Sequence, residues 1–175
     1  MASSSTLELL FRGSTHGPRI PVALFDHYAD AGNVSTDESD LYSDSLAAGQ
    51  LYADGQKLIA EYGGIFVSSA TATRQLRAYF GGTAIFDSGA LSISAGADAW
   101  DMRIMVIRAS ATVARCIVAM NLSGAATTAF CAYTAVTATL ADAQILKITG
   151  QAAGVGAATN DIVAKAGMVE WKAAA

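Results

Sequence analysis

The sequence predicts an all-β protein, either a sandwich or a barrel. Short runs in which apolar and polar residues alternate recur at roughly ten-residue spacing, which is typical of strands joined by short turns. Glycine pairs and small polar residues separate these runs. Only residues 51–62 compete as a helix, and Gly55, Gly63 and Gly64 in or beside that stretch weaken the helical interpretation.

Alternation along the chain gives nine predicted strands. Leu76, Ala78 and Phe80 alternate with polar neighbours, so we expect this face of their strand to lie in the core. Gly167, in the last strand, is expected to mark a β-bulge, an extra residue that shifts the inward–outward alternation of the side chains by one position. The predicted strands are residues 41–46, 57–67, 74–80, 83–88, 99–109, 111–121, 129–138, 144–150 and 161–171.

The fifth predicted strand is apolar on both faces. Trp100, Met102 and Ile104 define its inward face, whereas Met105 and Ile107 fall on its outward face. A contiguous apolar surface on a sheet often marks a protein–protein interface. We therefore expect Met105 and Ile107 to lie between copies of the chain in an oligomer.

Residues 1–37 differ from the rest of the chain. They contain both prolines and both histidines and show no sustained period. We interpret this segment as an extended arm that lies against its own domain or a partner, because its apolar side chains need burial. The folded domain is predicted to span residues 38–172. The arm residues expected to make apolar or ionic contacts are Leu7, Leu9, Leu10, Phe11, Arg12, Arg19, Ile20, Val22, Leu24 and Phe25.

Composition argues against two kinds of partner. The formal charge is −4 and no basic stripe is visible, so we expect no nucleic-acid binding. The uncharged stretch 116–141 is broken by polar residues and reads as two strands, so we expect no membrane span.

The two cysteines are expected to be reduced. The N-terminus lacks the features of a signal peptide, so we expect no export to an oxidising compartment. Cys116 and Cys131 each lie in an apolar run, and we expect both to be buried core residues.

No catalytic, cofactor-binding or metal-binding set is expected, and we predict that the protein is not an enzyme. Gly150, Gly154 and Gly156 suggest a phosphate-binding loop, but no helix is predicted after them to receive a phosphate. The two histidines, His16 and His27, both lie in the predicted arm, where nothing would hold them with catalytic precision.

Two groups of acidic residues are candidate binding sites. Residues 37–44 carry four carboxylates but lack the ligand order of a calcium loop, so a solvated linker is the favoured interpretation. Asp98 and Asp101 flank Trp100, which suggests either stacking on a carbohydrate or, more commonly, an aromatic anchor in the core.

The order of motifs over residues 38–172 resembles the jelly-roll virion proteins of tailed bacteriophages, which include capsid decoration proteins, head fibres and tail-fibre domains. The resemblance lies in a Leu-x-x-x-Gly-x-x-Leu entry, a strand that ends in Phe-Gly-Gly-Thr, a Trp-x-Met-x-Ile strand and a late Ile-Thr-Gly. These motifs begin at Leu51, Phe80, Trp100 and Ile148. The resemblance implies a jelly-roll-like antiparallel β-sandwich of about eight or nine strands with an extended N-terminal arm.

The same resemblance implies a function. Members are generally homotrimeric and non-enzymatic, and the family pattern offers no site residues to transfer. The resemblance leads us to expect a homotrimeric decoration (cement) protein that is made in the host cytoplasm, binds the outer surface of the virion head at subunit junctions and stabilises the capsid. Its partner would be the major capsid protein, contacted by the arm. The alternative is a head-fibre or tail-fibre protein that binds host-surface glycan.

Overall fold

A computed structural model describes residues 21–67, 71–92, 98–123 and 128–174. All regular secondary structure in these residues is β-strand. The strands are β1 (Val22–His27), β2 (Ala31–Gly32), β3 (Ser39–Leu46), β4 (Lys57–Phe66), β5 (Thr73–Phe80), β6 (Thr83–Asp87), β7 (Leu91–Ser92), β8 (Asp98–Ser110), β9 (Val113–Ser123), β10 (Thr128–Thr137), β11 (Gln144–Ala153) and β12 (Ile162–Lys172).

All nine strands predicted from the sequence are present, with ends that differ by at most three residues. The helical alternative at residues 51–62 is wrong, since β4 begins inside it. The three strands that alternation missed are β1, β2 and β7, and two of these contain only 2 residues each. Such short strands carry too few residues to show a period.

The strands form two antiparallel sheets. The larger sheet has the order β1-β12-β4-β8-β9-β10, with β2 also paired to β12, and the smaller has the order β3-β11-β5-β6, with β7 paired to β5. If β1, β3, β4, β5, β6, β8, β11 and β12 are numbered one to eight, the sheets contain them in the orders 1-8-3-6 and 2-7-4-5. This is the jelly-roll arrangement. The β9–β10 hairpin extends the larger sheet beyond β8.

The core lies between the two sheets and follows the predicted alternation. Trp100, Met102 and Ile104 of β8 are all buried and face the interior, as expected. Trp100 occupies space that Gly64 of β4 leaves open, because a Cβ atom at Gly64 would overlap the indole ring and the carbonyl oxygen of Val163. The close approach of the backbone to a large aromatic side chain therefore requires glycine at this position.

Residues 22–27 of the predicted arm do not extend away from the domain but form the strand β1 of the larger sheet. β1 pairs with β12 from Val22 opposite Trp171 to His27 opposite Gly167. Leu24 and Phe25 of β1 pack against the domain's own core. The register shifts within β1, and this irregularity removes the alternation by which the strand would have been recognised.

The remaining predicted arm residues lie outside the described residues. These are Leu7, Leu9, Leu10, Phe11, Arg12, Arg19 and Ile20. Val22, Leu24 and Phe25, in contrast, belong to β1 of the sandwich.

The bulge expected at Gly167 lies two residues earlier. In the pairing of β12 with β4 the register shifts between Ala164 and Ala166, so Lys165 is the extra residue. Gly167 has a different reason to be glycine, because a Cβ atom there would overlap the ring of Tyr62. The absence of a side chain at Gly167 lets Tyr62 extend toward the smaller sheet.

Candidate functional site

The outward face of the larger sheet carries apolar side chains across four strands. Register places Ile59 of β4 opposite Met105 of β8, Met105 opposite Ile117 of β9, and Ile117 opposite Tyr133 of β10. Tyr133 is 63% exposed and Ile117 is 37% exposed, whereas Met105 is half-buried and Ile59 is buried by its neighbours. We call these four residues the apolar row.

Charged side chains flank the apolar row, and their sign differs between its two sides. On one side lie Lys57 and Arg115, and within the described residues Arg115 forms no ion pair. On the other side Arg103 pairs with Glu61 at 3.3 Å, so these two charges offset each other. Beyond that pair lies Asp101, which is exposed. The outward face is therefore basic at one end and acidic at the other.

The structure places both predicted interface residues on this outward face. Met105 belongs to the apolar row, and Ile107 lies in the next outward-facing row, opposite Lys57. Both side chains are half-buried. Their position agrees with the alternation of the strand, and their role between copies of the chain stays a prediction.

The two cysteines occupy different environments. Cys116 of β9 is buried, and burial raises the pKa of its thiol to about 12. Cys131 of β10 is exposed on the outward face, so the expectation that both cysteines are buried is wrong for Cys131. Both thiols are free, as predicted. The apolar run around Cys131 lies in the edge strand β10, and the core covers only one of its two faces. Cys131 lies on the other face.

A polar cluster ties the two sheets together. The carboxylate of Asp44, in β3, accepts hydrogen bonds from Nε2 of His27 at 2.9 Å and from the hydroxyl of Tyr62 at 3.0 Å. The ring of His27 also stacks on Tyr42, with centroids 4.1 Å apart. Burial, followed by the charge of Asp44, raises the pKa of Tyr62 well above its ordinary value, so Tyr62 remains a donor. Both oxygens of Asp44 have partners from this chain, and the cluster therefore serves as a structural tie.

The outward face of the smaller sheet carries a second, mostly exposed network centred on Glu38. Its carboxylate accepts hydrogen bonds from the hydroxyls of Tyr79 and Thr149, both at 2.6 Å, and from Arg77 at 2.7 Å. Arg77 also pairs with Asp87 at 2.9 Å. Burial alone would raise the pKa of Glu38, but these hydrogen bonds and the neighbouring cations outweigh it and hold the pKa below its ordinary value.

An open depression of about 430 Å³ lies beside this network, lined by Glu38, Asp40, Tyr79, Gly82 and Lys147. The ammonium group of Lys147 lies 2.7 Å from Asp40 and 5.3 Å from the centre of the Tyr79 ring. An aromatic ring beside carboxylates and an ammonium group offers both stacking and hydrogen bonding to a polar ligand. Alternation alone could not reveal this depression, because its residues come from separate segments.

The acidic stretch 37–44 is therefore not a solvated linker. Part of it is the strand β3, in which Asp44 points into the sandwich. Glu38 and Asp40 bind cationic side chains of the smaller sheet. In the part of the chain that the structure describes, no group of three or more His, Cys, Asp or Glu residues is arranged to hold a metal ion.

The glycine-rich stretch after β11 is a loop between two strands, as predicted. Gly154 and Gly156 adopt positive φ angles of 95° and 81°, and β12 follows the loop. Asp161 fixes the end of this loop, since its carboxylate accepts from the backbone N–H of Ala158 at 2.9 Å and pairs with the buried Arg74 at 3.2 Å. Among the residues that the structure describes, Nε and Nη1 of Arg74 have no hydrogen-bond partner.

Trp100 is only 2% exposed, so it serves as an aromatic anchor in the core and cannot stack on a carbohydrate.

Comparison of the chain with protein-family models, with curated proteins and with solved structures gives no match in any of the three. Within the described ranges the structure contains no helix of the length and apolarity needed to cross a membrane.

Proposed function

We propose that the protein is a structural subunit of a bacteriophage virion, a capsid decoration (cement) protein that binds the outer head surface at subunit junctions and stabilises the head. The observation that carries this proposal is the jelly-roll order of the eight strands, taken together with the virion-protein motifs in the sequence. Two of those motifs serve the fold directly. Phe80-Gly-Gly-Thr forms the β5–β6 turn, with Gly81 and Gly82 at positive φ, and Trp100 anchors the core.

The proposed contact with the major capsid protein is made by residues 1–20. These residues precede β1, which is an edge strand of the larger sheet. Twenty residues in an extended conformation span up to roughly 66 Å, which is enough to cross a junction between capsid subunits. Several such segments in one oligomer would bind with high avidity even if each single contact were weak.

The test is co-sedimentation of the purified full chain with phage heads that lack it. The double variant Leu9→Asp/Phe11→Asp should lose binding, because two carboxylates would have to be buried in an apolar contact. The control variant Val155→Asp, at a side chain that is 81% exposed, should bind like the wild type. Binding of the double variant at full occupancy would overturn the proposed role of residues 1–20. A deletion must stop at residue 20, because residue 22 already belongs to β1.

A second candidate function, a head-fibre or tail-fibre protein that binds host-surface glycan, is favoured by the open depression next to Tyr79. Binding of the wild type to a glycan array, and its loss in Lys147→Ala and Asp40→Asn, would support this function. These two side chains line the depression but are 31% and 50% exposed, so their replacement should leave the fold intact. Equal glycan binding by all three proteins would exclude the depression as the glycan site.

A further inference from the structure

We infer that the outward face of the larger sheet binds a second copy of this chain, with the acidic end of the face on one copy against the basic end on the next. This inference goes beyond the proposed function and departs from the resembled virion proteins, which are generally homotrimeric, because a face that is complementary to itself pairs two copies about a two-fold axis.

The apolar row supplies the centre of the contact. Tyr133 and Ile117 together expose a tyrosine ring and a branched aliphatic side chain on adjacent strands, with Met105 beside them. Aromatic residues and methionine are enriched at interfaces because they offer large contact areas. Four strands about 4.8 Å apart and about eight residues at about 3.3 Å each make a face of roughly 500 Å². Two such faces bury roughly 1,000 Å², which lies at the lower end for a specific interface.

The charge pattern favours another copy as the occupant. Asp101 pairs in register with Asn121, and Arg115 lies six residues from Asn121 along β9, which separates the two charges by roughly 20 Å. When two copies pack face to face in opposite directions, Asp101 of one copy approaches Arg115 of the other, and the reciprocal pair also forms. Opposite charges at the two ends therefore make the face complementary to itself.

A change in the apolar row gives the first arm of the test. Sedimentation velocity of the full chain over a wide range of concentrations should show association, and Tyr133→Lys should remain monomeric. Val155→Lys is the matched control, because Val155 is even more exposed, at 81%, but lies in the β11–β12 loop. Wild-type protein that stays monomeric at every concentration would overturn the inference, as would association that Tyr133→Lys leaves unchanged.

A charge exchange gives the second arm and tests the register. Arg115→Glu and Asp101→Lys should each weaken association by about tenfold, because each places like charges opposite one another. The double variant Asp101→Lys/Arg115→Glu should recover most of the wild-type affinity, since the exchanged charges are again complementary. If the losses of association free energy in the two single variants simply add in the double variant, the proposed orientation of the two copies is wrong.

The exposed thiol of Cys131 gives the third arm. Cys131 lies on the outward face and Cys116 is buried, so a thiol reagent reports on this face alone. Its reaction with Cys131 should be fast in dilute wild-type protein and slow when the chain is concentrated. Slow reaction in the dilute monomer would mean that the chain's own residues cover the face, which overturns the inference. These measurements require no phage heads, so their failure is distinguishable from a failure of head binding.

Discussion

His27 donates a hydrogen bond from Nε2 to the buried carboxylate of Asp44 at 2.9 Å, and this bond joins the edge strand of the larger sheet to the edge strand of the smaller sheet. The side chain of Asp44 is 2% exposed. The hydroxyl of Tyr62 satisfies its second oxygen. The contact makes β1 an integral part of the sandwich and explains why the domain begins before residue 38.

Removal of this carboxylate should destabilise the protein more than removal of an exposed one. Asp44→Ala leaves the Tyr62 hydroxyl without its acceptor, and we expect a loss of about 2–3 kcal/mol in the free energy of unfolding. Asp40→Ala is the control, because Asp40 forms a half-exposed ion pair with Lys147, and we expect a loss below about 1 kcal/mol. Urea titration monitored by tryptophan fluorescence measures the free energy of unfolding of both variants. Equal losses would contradict the proposed role of Asp44 in joining the two sheets.

Two adjacent glycines of β4 should differ sharply in their tolerance of alanine. Gly64→Ala forces a Cβ atom into Trp100 and the Val163 carbonyl, and we expect destabilisation by about 1–3 kcal/mol or more. Gly63→Ala places its Cβ 3.7 Å from the nearest atom, the Trp100 carbonyl oxygen, which is ordinary van der Waals contact. Its urea midpoint should stay near that of the wild type. Similar midpoints for the two variants would show that Trp100 packs elsewhere.

The hydrogen-bond network around Glu38 on the smaller sheet should make the free energy of unfolding depend on pH in the acidic range. The pKa of Glu38 lies below its ordinary value of 4.5 in the folded chain, so its contribution is present above about pH 4.5 and is lost as the pH falls through the folded pKa. Glu38→Gln removes the charge. The difference between the urea midpoints of wild type and Glu38→Gln should therefore be largest near neutral pH and shrink in acid. A difference that is constant with pH would refute this role of the charge.

The two thiols should be distinguishable by titration. The native protein, kept dilute, should react at one cysteine per chain with a thiol reagent, and the urea-unfolded protein should react at two, because only Cys131 is exposed. Burial raises the pKa of Cys116 to about 12, which suppresses its reactive thiolate at neutral pH. The variant Cys131→Ser should show no reactive thiol before unfolding. A native stoichiometry of two would place Cys116 at the surface.

Alternation along the chain predicted most of the fold because the sandwich buries one face of each long strand. Leu76, Ala78 and Phe80 are buried as their spacing requires, and so is the inward face of β8. The same rule failed for β1, where a register shift interrupts the alternation. A local pattern therefore misses strands whose regularity is broken by a bulge.

The polar ties could not be predicted from the sequence, because their partners are far apart along the chain. Arg74 pairs with Asp161, and Thr149 with Glu38, and nothing in the local sequence of either partner indicates the other. Whether Cys131 is exposed also depends on which strand lies at the edge of a sheet, and the local sequence does not show this. The outward position of Met105, in contrast, follows from alternation alone.

The most direct test of the proposed function is the copy number of this chain in purified phage particles, measured by quantitative mass spectrometry against the major capsid protein. We predict hundreds of copies per virion, all released when heads are stripped of surface proteins. A few dozen copies or fewer would instead support a fibre. Complete absence of the chain from the particles would contradict the proposal that it is a structural component of the virion.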